Sequence, residues 1–308
     1  MLKSTLRLTF IAAIAGLTLV GGTGCSRNDL SQAPDTQAEA DESTIIERDL
    51  NTLRLLYGRS VVTLNPHLAT GYQDFEAARI VYEPLASYDE SGQLVLFLGA
   101  QIPTVENGGL AADGTSVTWT LRDDVTWSDG EPFTADDVVF TFEFISNPEV
   151  AAATAQFYEN VDAVEAVDDH TVRITFKEPT PAWSVPFTGQ TGGMLPRHVF
   201  EEFNGLNARD ALANLQPVGT GPYITVGFEP GTVLFEPNPT YWNGAPEFER
   251  VELQGGIAPY AAARDVLKSG AADFAHNLQV EASALEELTP GEQGEIVTLF
   301  GSKVERIM

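Results

Sequence analysis

The stretch from Ser116 to Asn147 constrains the fold most, because it sets out a strand, a turn and a helix with their boundaries. Val117, Trp119 and Leu121 alternate with Thr118, Thr120 and Arg122. A period of two places each set on its own face, so Ser116–Arg122 reads as a half-buried strand. Val125–Trp127 is expected to return beside it, bringing Trp127 next to Trp119, with Ser128-Asp129-Gly130 as a tight turn. Thr134 then opens a helix. Its hydroxyl suits the first-turn amides, and Asp136 and Asp137 suit the positive end of the helix dipole. Val138, Phe142 and Ile145 form an apolar stripe, and Asn147-Pro148 stops it.

Elsewhere strands are expected at 51–57, 171–176, 251–253 and 272–275, with a hairpin pairing 224–228 and 233–236 across Glu229-Pro230-Gly231-Thr232. Helices are expected at 74–85, 196–203, 259–268 and 281–288, the first disturbed by Pro84 and the third ended by Gly270. Strands and helices mix without a strict βαβ beat, so the fold class is mixed α/β or α+β. A last strand is read at 296–300, after which the chain stops at Met308, more like a cut than a finish.

The hydrophobic content of 43% over 308 residues supports a large core. Lys+Arg total 17 against Asp+Glu 44, a formal net charge of −27. Phosphate-rich partners need clustered cations, so a nucleic-acid role is excluded. At the N-terminus, Lys3 and Arg7 precede an apolar run from Leu8 to Val20, small residues follow, and Cys25 is the only cysteine. This reads as a secretory signal over 1–24, too short for a comfortable membrane span. Cys25 is similar to the lipidated cysteine of bacterial lipoproteins. Thr23 and Gly24 before it suit that processing site, although Gly22 stands where leucine is usual. The alternative is an incidental cysteine near an ordinary cleavage site. Residues 25–50 then form the lipid attachment and a polar, acidic tether.

Four segments together resemble the family 5 extracellular solute-binding proteins, the oligopeptide, dipeptide and nickel binders. They are Leu64-Asn65-Pro66-His67 with Ile80-Val81-Tyr82-Glu83-Pro84-Leu85; the Trp119–Phe140 block; Gly219-Thr220-Gly221-Pro222-Tyr223; and Asn238-Pro239 with Tyr241-Trp242-Asn243-Gly244. The resemblance implies a two-lobed receptor that closes over a solute and delivers it to ABC permease subunits. It places lobe I at 51–277, with an inserted subdomain at roughly 75–190, and only the start of lobe II at 278–308. The crossing strand is expected near 274–278, and the receptor is expected to be monomeric, lipid-anchored and extracytoplasmic.

The expected ligand contacts are Gly71, Tyr72 and Gln73 in the loop after the first motif, together with Trp183 and Asn277. Tyr72 can stack or hydrogen-bond, Gln73 can engage an amide, and Trp183 with Phe187 offers an apolar pocket wall or ordinary core packing. His67, His170, His198 and His276 lack metal-ligand spacing, so no metal is expected; His67 is the one nearest the loop. No nucleophile elbow, phosphate loop or dinucleotide fingerprint occurs, so neither cofactor nor catalysis is expected. The rival readings are a nickel, haem or sugar binder of the same family, an exported lipoprotein hydrolase, and a surface sensor.

Overall fold

The computed structural model describes residues 49–276, 280 and 282–288. The expected signal peptide, Cys25, the tether, Asn277 and the strand at 296–300 lie outside the described residues. In chain order the elements are β1 (Thr52–Tyr57), α1 (Tyr72–Ala78), β2 (Ala86–Tyr88), β3 (Leu94–Leu96), β4 (Ser116–Thr120), α2 (Ala135–Ser146), β5 (Val161–Asp168), β6 (Thr171–Phe176), α3 (Arg197–Phe200), β7 (Tyr223–Glu229), β8 (Thr232–Pro237), β9 (Arg250–Gly255), α4 (Pro259–Arg264), β10 (Phe274–His276) and α5 (Ala282–Leu288).

The largest sheet runs β10-β1-β9-β8-β7. β1 lies parallel to both of its neighbours, with Leu55 beside Phe274 on one side and Leu53 beside Val251 on the other. β7, β8 and β9 form an antiparallel meander. The chain therefore passes from β9 through α4 to β10 as one βαβ crossover, with β1 between the two strands. Parallel neighbours require such a long connection, and α4 supplies the cover for that face. Leu56, Ala262 and Ala272 are buried together there.

The second sheet is antiparallel, in the order β4-β6-β5. Trp119 is fully buried and sits opposite Val172, so the alternation read from sequence gives the correct inner face. The expected partner of β4 was wrong: β6 pairs with it, while the 125–127 segment makes only a bridge between Thr126 and Pro132. A short apolar alternation does not name its partner, and Thr171–Phe176 offers a longer matching face. Trp127 accordingly packs edge-on to Phe133, with ring centroids 5.8 Å apart.

α2 covers this sheet and begins as expected. Asp137 is buried, and its carboxylate accepts the N–H of Thr134 at 3.0 Å, of Arg197 at 2.9 Å and the indole N–H of Trp127 at 3.2 Å. Burial pushes this carboxyl above its ordinary value, against those hydrogen bonds. α1 is shorter than expected, ending at Ala78 rather than near Leu85. Pro84 cannot donate to the Ile80 carbonyl, and the Leu85 N–H goes to Phe187 O at 2.9 Å instead.

Candidate ligand-binding site

The four sequence motifs converge on one polar junction. The Gly221 N–H donates to Val81 O at 3.0 Å, and the Ser128 N–H donates to Gly219 O at 2.9 Å. A Cβ at Gly219 would overlap Val81 O, so only glycine permits this approach. Asn238 Nδ2 donates to Gly221 O at 2.9 Å. Buried Glu83 accepts from Tyr241 Oη at 3.2 Å and from Trp242 Nε1 at 2.9 Å. Burial raises the Glu83 carboxyl above its ordinary value, while these hydrogen bonds pull it down. The Arg122 guanidinium lies 4.0 Å over the Trp242 ring. These contacts tie the four motifs together as architecture.

His67 belongs to the same interior. Its ring is fully buried between Thr154 Oγ1 and Gly193 O, each at 2.8 Å. A carbonyl can only accept, so Nε2 carries the proton and Nδ1 accepts from the Thr154 hydroxyl. Burial depresses its pKa to about 4. Among the described residues, no three His, Cys, Asp or Glu side chains converge on a point that could hold a metal ion.

An open space lies elsewhere. A cavity of about 290 Å³ is lined by Tyr57, Gly58, Arg59, Gly71, Tyr72, Gln73, Pro259 and His276. Tyr57 ends β1, His276 ends β10, and Pro259 begins α4. The cavity thus sits beyond the carboxyl ends of two adjacent parallel strands, where open α/β sheets leave a crevice between their connections. Its volume is at the small end of the roughly 300–1,000 Å³ usual for small-molecule sites.

Local forces place each wall. Asp74 is fully buried and accepts from Val62 N at 2.9 Å, Thr70 N at 2.8 Å and Thr70 Oγ1 at 2.8 Å. These bonds bind the 62–70 loop to α1 and so set the position of Gly71, Tyr72 and Gln73. Gly71 is the N-cap and the next two residues form the first turn of α1, rather than the loop expected from sequence. The Gln73 side chain folds back over Gly71, filling the place a Cβ would take. Tyr72 stacks on His276, with centroids 6.3 Å apart and planes 11° apart, and Tyr57 meets the same imidazole at 5.8 Å. Burial pushes the Tyr57 phenol well up, with the nearby Glu76 charge adding to it, so this wall is a neutral hydroxyl. The Ile257 N–H donates to Tyr57 O at 3.1 Å, holding the approach to α4 against the end of β1.

The structure therefore brings Gly71, Tyr72 and Gln73 together around one space. Trp183 is not part of that lining; it is half-buried against Trp119, with ring centroids 6.1 Å apart. Phe187 is wholly buried in the main core, at a φ of 62°. Sequence reasoning missed Arg59, Pro259 and the part played by His276. Their only signal was position at the end of a strand or the start of a helix, and it becomes legible once β1 and β10 are known to pair.

The fold is that of two-lobed periplasmic binding proteins, of which this chain presents a part. Residues 63–303 match the family described as bacterial extracellular solute-binding proteins, family 5, middle region, and the chain belongs to that family. It is similar to Protein XP55 of Streptomyces lividans, 32% identical over 76% of this chain and 39% of that protein. It is also similar to a putative ABC transporter peptide-binding protein of Brucella ovis, 31% identical over 69% of this chain and 38% of the relative. Among solved structures, NikZ from Campylobacter jejuni in complex with Ni(L-His) matches at 28% identity and a TM-score of 0.66, covering 79% of this chain and 46% of that one. The chain thus spans less than half the length of these proteins. No helix among the described residues is long and apolar enough to cross a membrane.

Proposed function

We propose that this chain captures a peptide, or a solute of similar size and polarity, outside the cytoplasmic membrane and presents it to the permease of an ABC importer. The observation that carries this reading is the cavity at the carboxyl ends of β1 and β10, walled by the Gly71–Gln73 turn and by aromatic faces. The family assignment and the name of the Brucella relative support it. The mechanism is binding without chemistry. The solute stabilises a closed arrangement of two lobes, lobe I being residues 51–277 with its insertion at roughly 75–190, and the permease reads that closed form.

Gly71, Tyr72 and Gln73 supply the inner contacts. Asn277 follows His276 directly in sequence and is a further proposed contact. Trp183 serves only a solute long enough to leave this cavity. Cys25 carries the lipid that holds a monomeric receptor at the membrane, with residues 26–50 as its tether. Mass spectrometry of solute co-purified with the intact protein, followed by calorimetry against peptide pools, tests the reading. Retained peptide and saturable heats are expected. Turnover of a substrate, with no retained solute and no heat from any peptide pool, would overturn it.

A further inference from the structure

We infer that the cavity selects solutes that place a carboxylate against Arg59, an inference that rests on the solute-capture reading above. The first observation is the lining itself. Among the described residues it holds a guanidinium, an imidazole, a carboxamide and two phenols, and no carboxylate. Glu76, whose charge reaches Tyr57, is not among the lining residues. In a chain of net charge −27, a donor-rich space whose described lining carries a cation and no acid stands out from its surroundings.

The second observation is that the Arg59 side chain is uncommitted. Five arginines pair with carboxylates, Arg54 with Glu252, Arg122 with Asp124, Arg197 with Glu201, Arg250 with Glu236 and Arg264 with Asp265, and Arg59 is the one arginine in the described lining of the cavity. Among the described residues, no hydrogen bond or ion pair engages the Arg59 guanidinium. A planar guanidinium presents five N–H donors in a fork that fits a carboxylate bidentately. The overall field of the protein repels an anion, but that field is screened beyond about 8 Å at physiological salt, so a cation at the site decides the local preference.

The third observation concerns placement. The turn carrying Arg59 is pressed against the end of β9: a Cβ at Gly255 would stand 2.6 Å from Arg59 O and 2.5 Å from Ser60 Cα. The backbone of Arg59 is therefore set by packing between two adjacent strands, and this exposed residue lines the cavity. Gln73 adds an amide donor, and the Tyr72–His276 stack offers a flat face for the rest of the solute.

The test uses matched tripeptide pools on the intact protein by calorimetry: free acids, and the same sequences as C-terminal amides without acidic side chains. The wild type is expected to bind the free acids about ten- to a hundred-fold more tightly, the range of a charge-assisted contact. Arg59→Gln should bring the acids down to the level of the amides without changing the melting temperature, and Arg59→Lys should recover part of the difference. Equal binding of acids and amides by the wild type, or an acid preference that survives in Arg59→Gln, overturns the inference and leaves solute capture standing. Absence of binding by both pools to the wild type overturns both.

Discussion

Replacing Asp74 by alanine tests how the candidate site is held, since this side chain is absent from the cavity lining yet fixes one of its walls. Its carboxylate accepts from the Val62 amide, the Thr70 amide and the Thr70 hydroxyl at 2.8–2.9 Å. Hydrogen bonds to a charged group contribute about 1.5–3 kcal/mol each, and neutral ones about 1. Val62 and Thr70 are exposed, so water can reach their freed donors, and the lower figure is the appropriate one. Three bonds at about 1 kcal/mol give a loss of roughly 3 kcal/mol, or about 6–12 °C in melting temperature for a protein of this size. Thermal melting and amide exchange should both be read. Exchange at the Val62 and Thr70 amides should accelerate most, and solute affinity should fall because the Gly71–Gln73 turn loses its anchor. Asp74→Asn should recover at most about two-thirds of the loss, because its one oxygen can keep the two Thr70 bonds while the NH2 faces the Val62 donor and cannot accept from it. A variant that melts within about 2 °C of wild type, with unchanged exchange at those amides, would show that the loop is held by other forces.

Further outcomes follow from the same contacts. His67 is depressed from 6.5 to about 4, so its contribution to stability is complete above pH 6.5 and is lost as pH falls towards 4. The loss is on the order of 3 kcal/mol, to be read as the difference in urea unfolding between wild type and His67→Gln across that interval. Glu83 and Asp137 have raised values, so their contributions run the other way, weakening as pH rises above the ordinary carboxylate range; Glu83→Gln should flatten that part of the profile. Gly219→Ala should cost about 3 kcal/mol or more, because Val81 O belongs to the backbone and cannot swing aside, and equal melting temperatures would refute the close approach. Tyr72→Ala should weaken solute binding about tenfold with little change in stability, Tyr72 being exposed, and unchanged affinity would remove it from the site.

Much of the fold was legible because local signals and burial agree. The Thr171–Phe176 alternation buries Val172, Ile174 and Phe176, and the Glu229–Thr232 turn joins the β7–β8 hairpin as read. The helix after Thr134 starts and stops where its caps place it, although Phe142 is only half-buried and Phe140, Thr141 and Phe144 carry more of the contact. What failed was partner choice. β4 pairs with β6 across the whole of α2 and β5, and nothing in the Val125–Trp127 run distinguishes a near partner from a far one. The site was legible only where it is local: Gly71, Tyr72 and Gln73 could be named together, while Arg59 and His276 meet them through the parallel pairing of β1 with β10.

That division has a physical reason. The four motifs are readable because each is a strict steric or hydrogen-bonding demand: a glycine under a carbonyl, an acid under an indole, an amide closing a turn. Such demands admit few residue types, so they declare the architecture. The cavity makes no comparable demand on its lining. Several side chains at the exposed positions 59 and 72 are compatible with the same ends of β1 and β10. On the proposed reading, a guanidinium at position 59 and a ring at position 72 carry information about cargo that the motifs do not contain. Exchanging residues at those two positions should change what is bound while the junction of Val81, Glu83, Gly219 and Trp242 keeps the same scaffold.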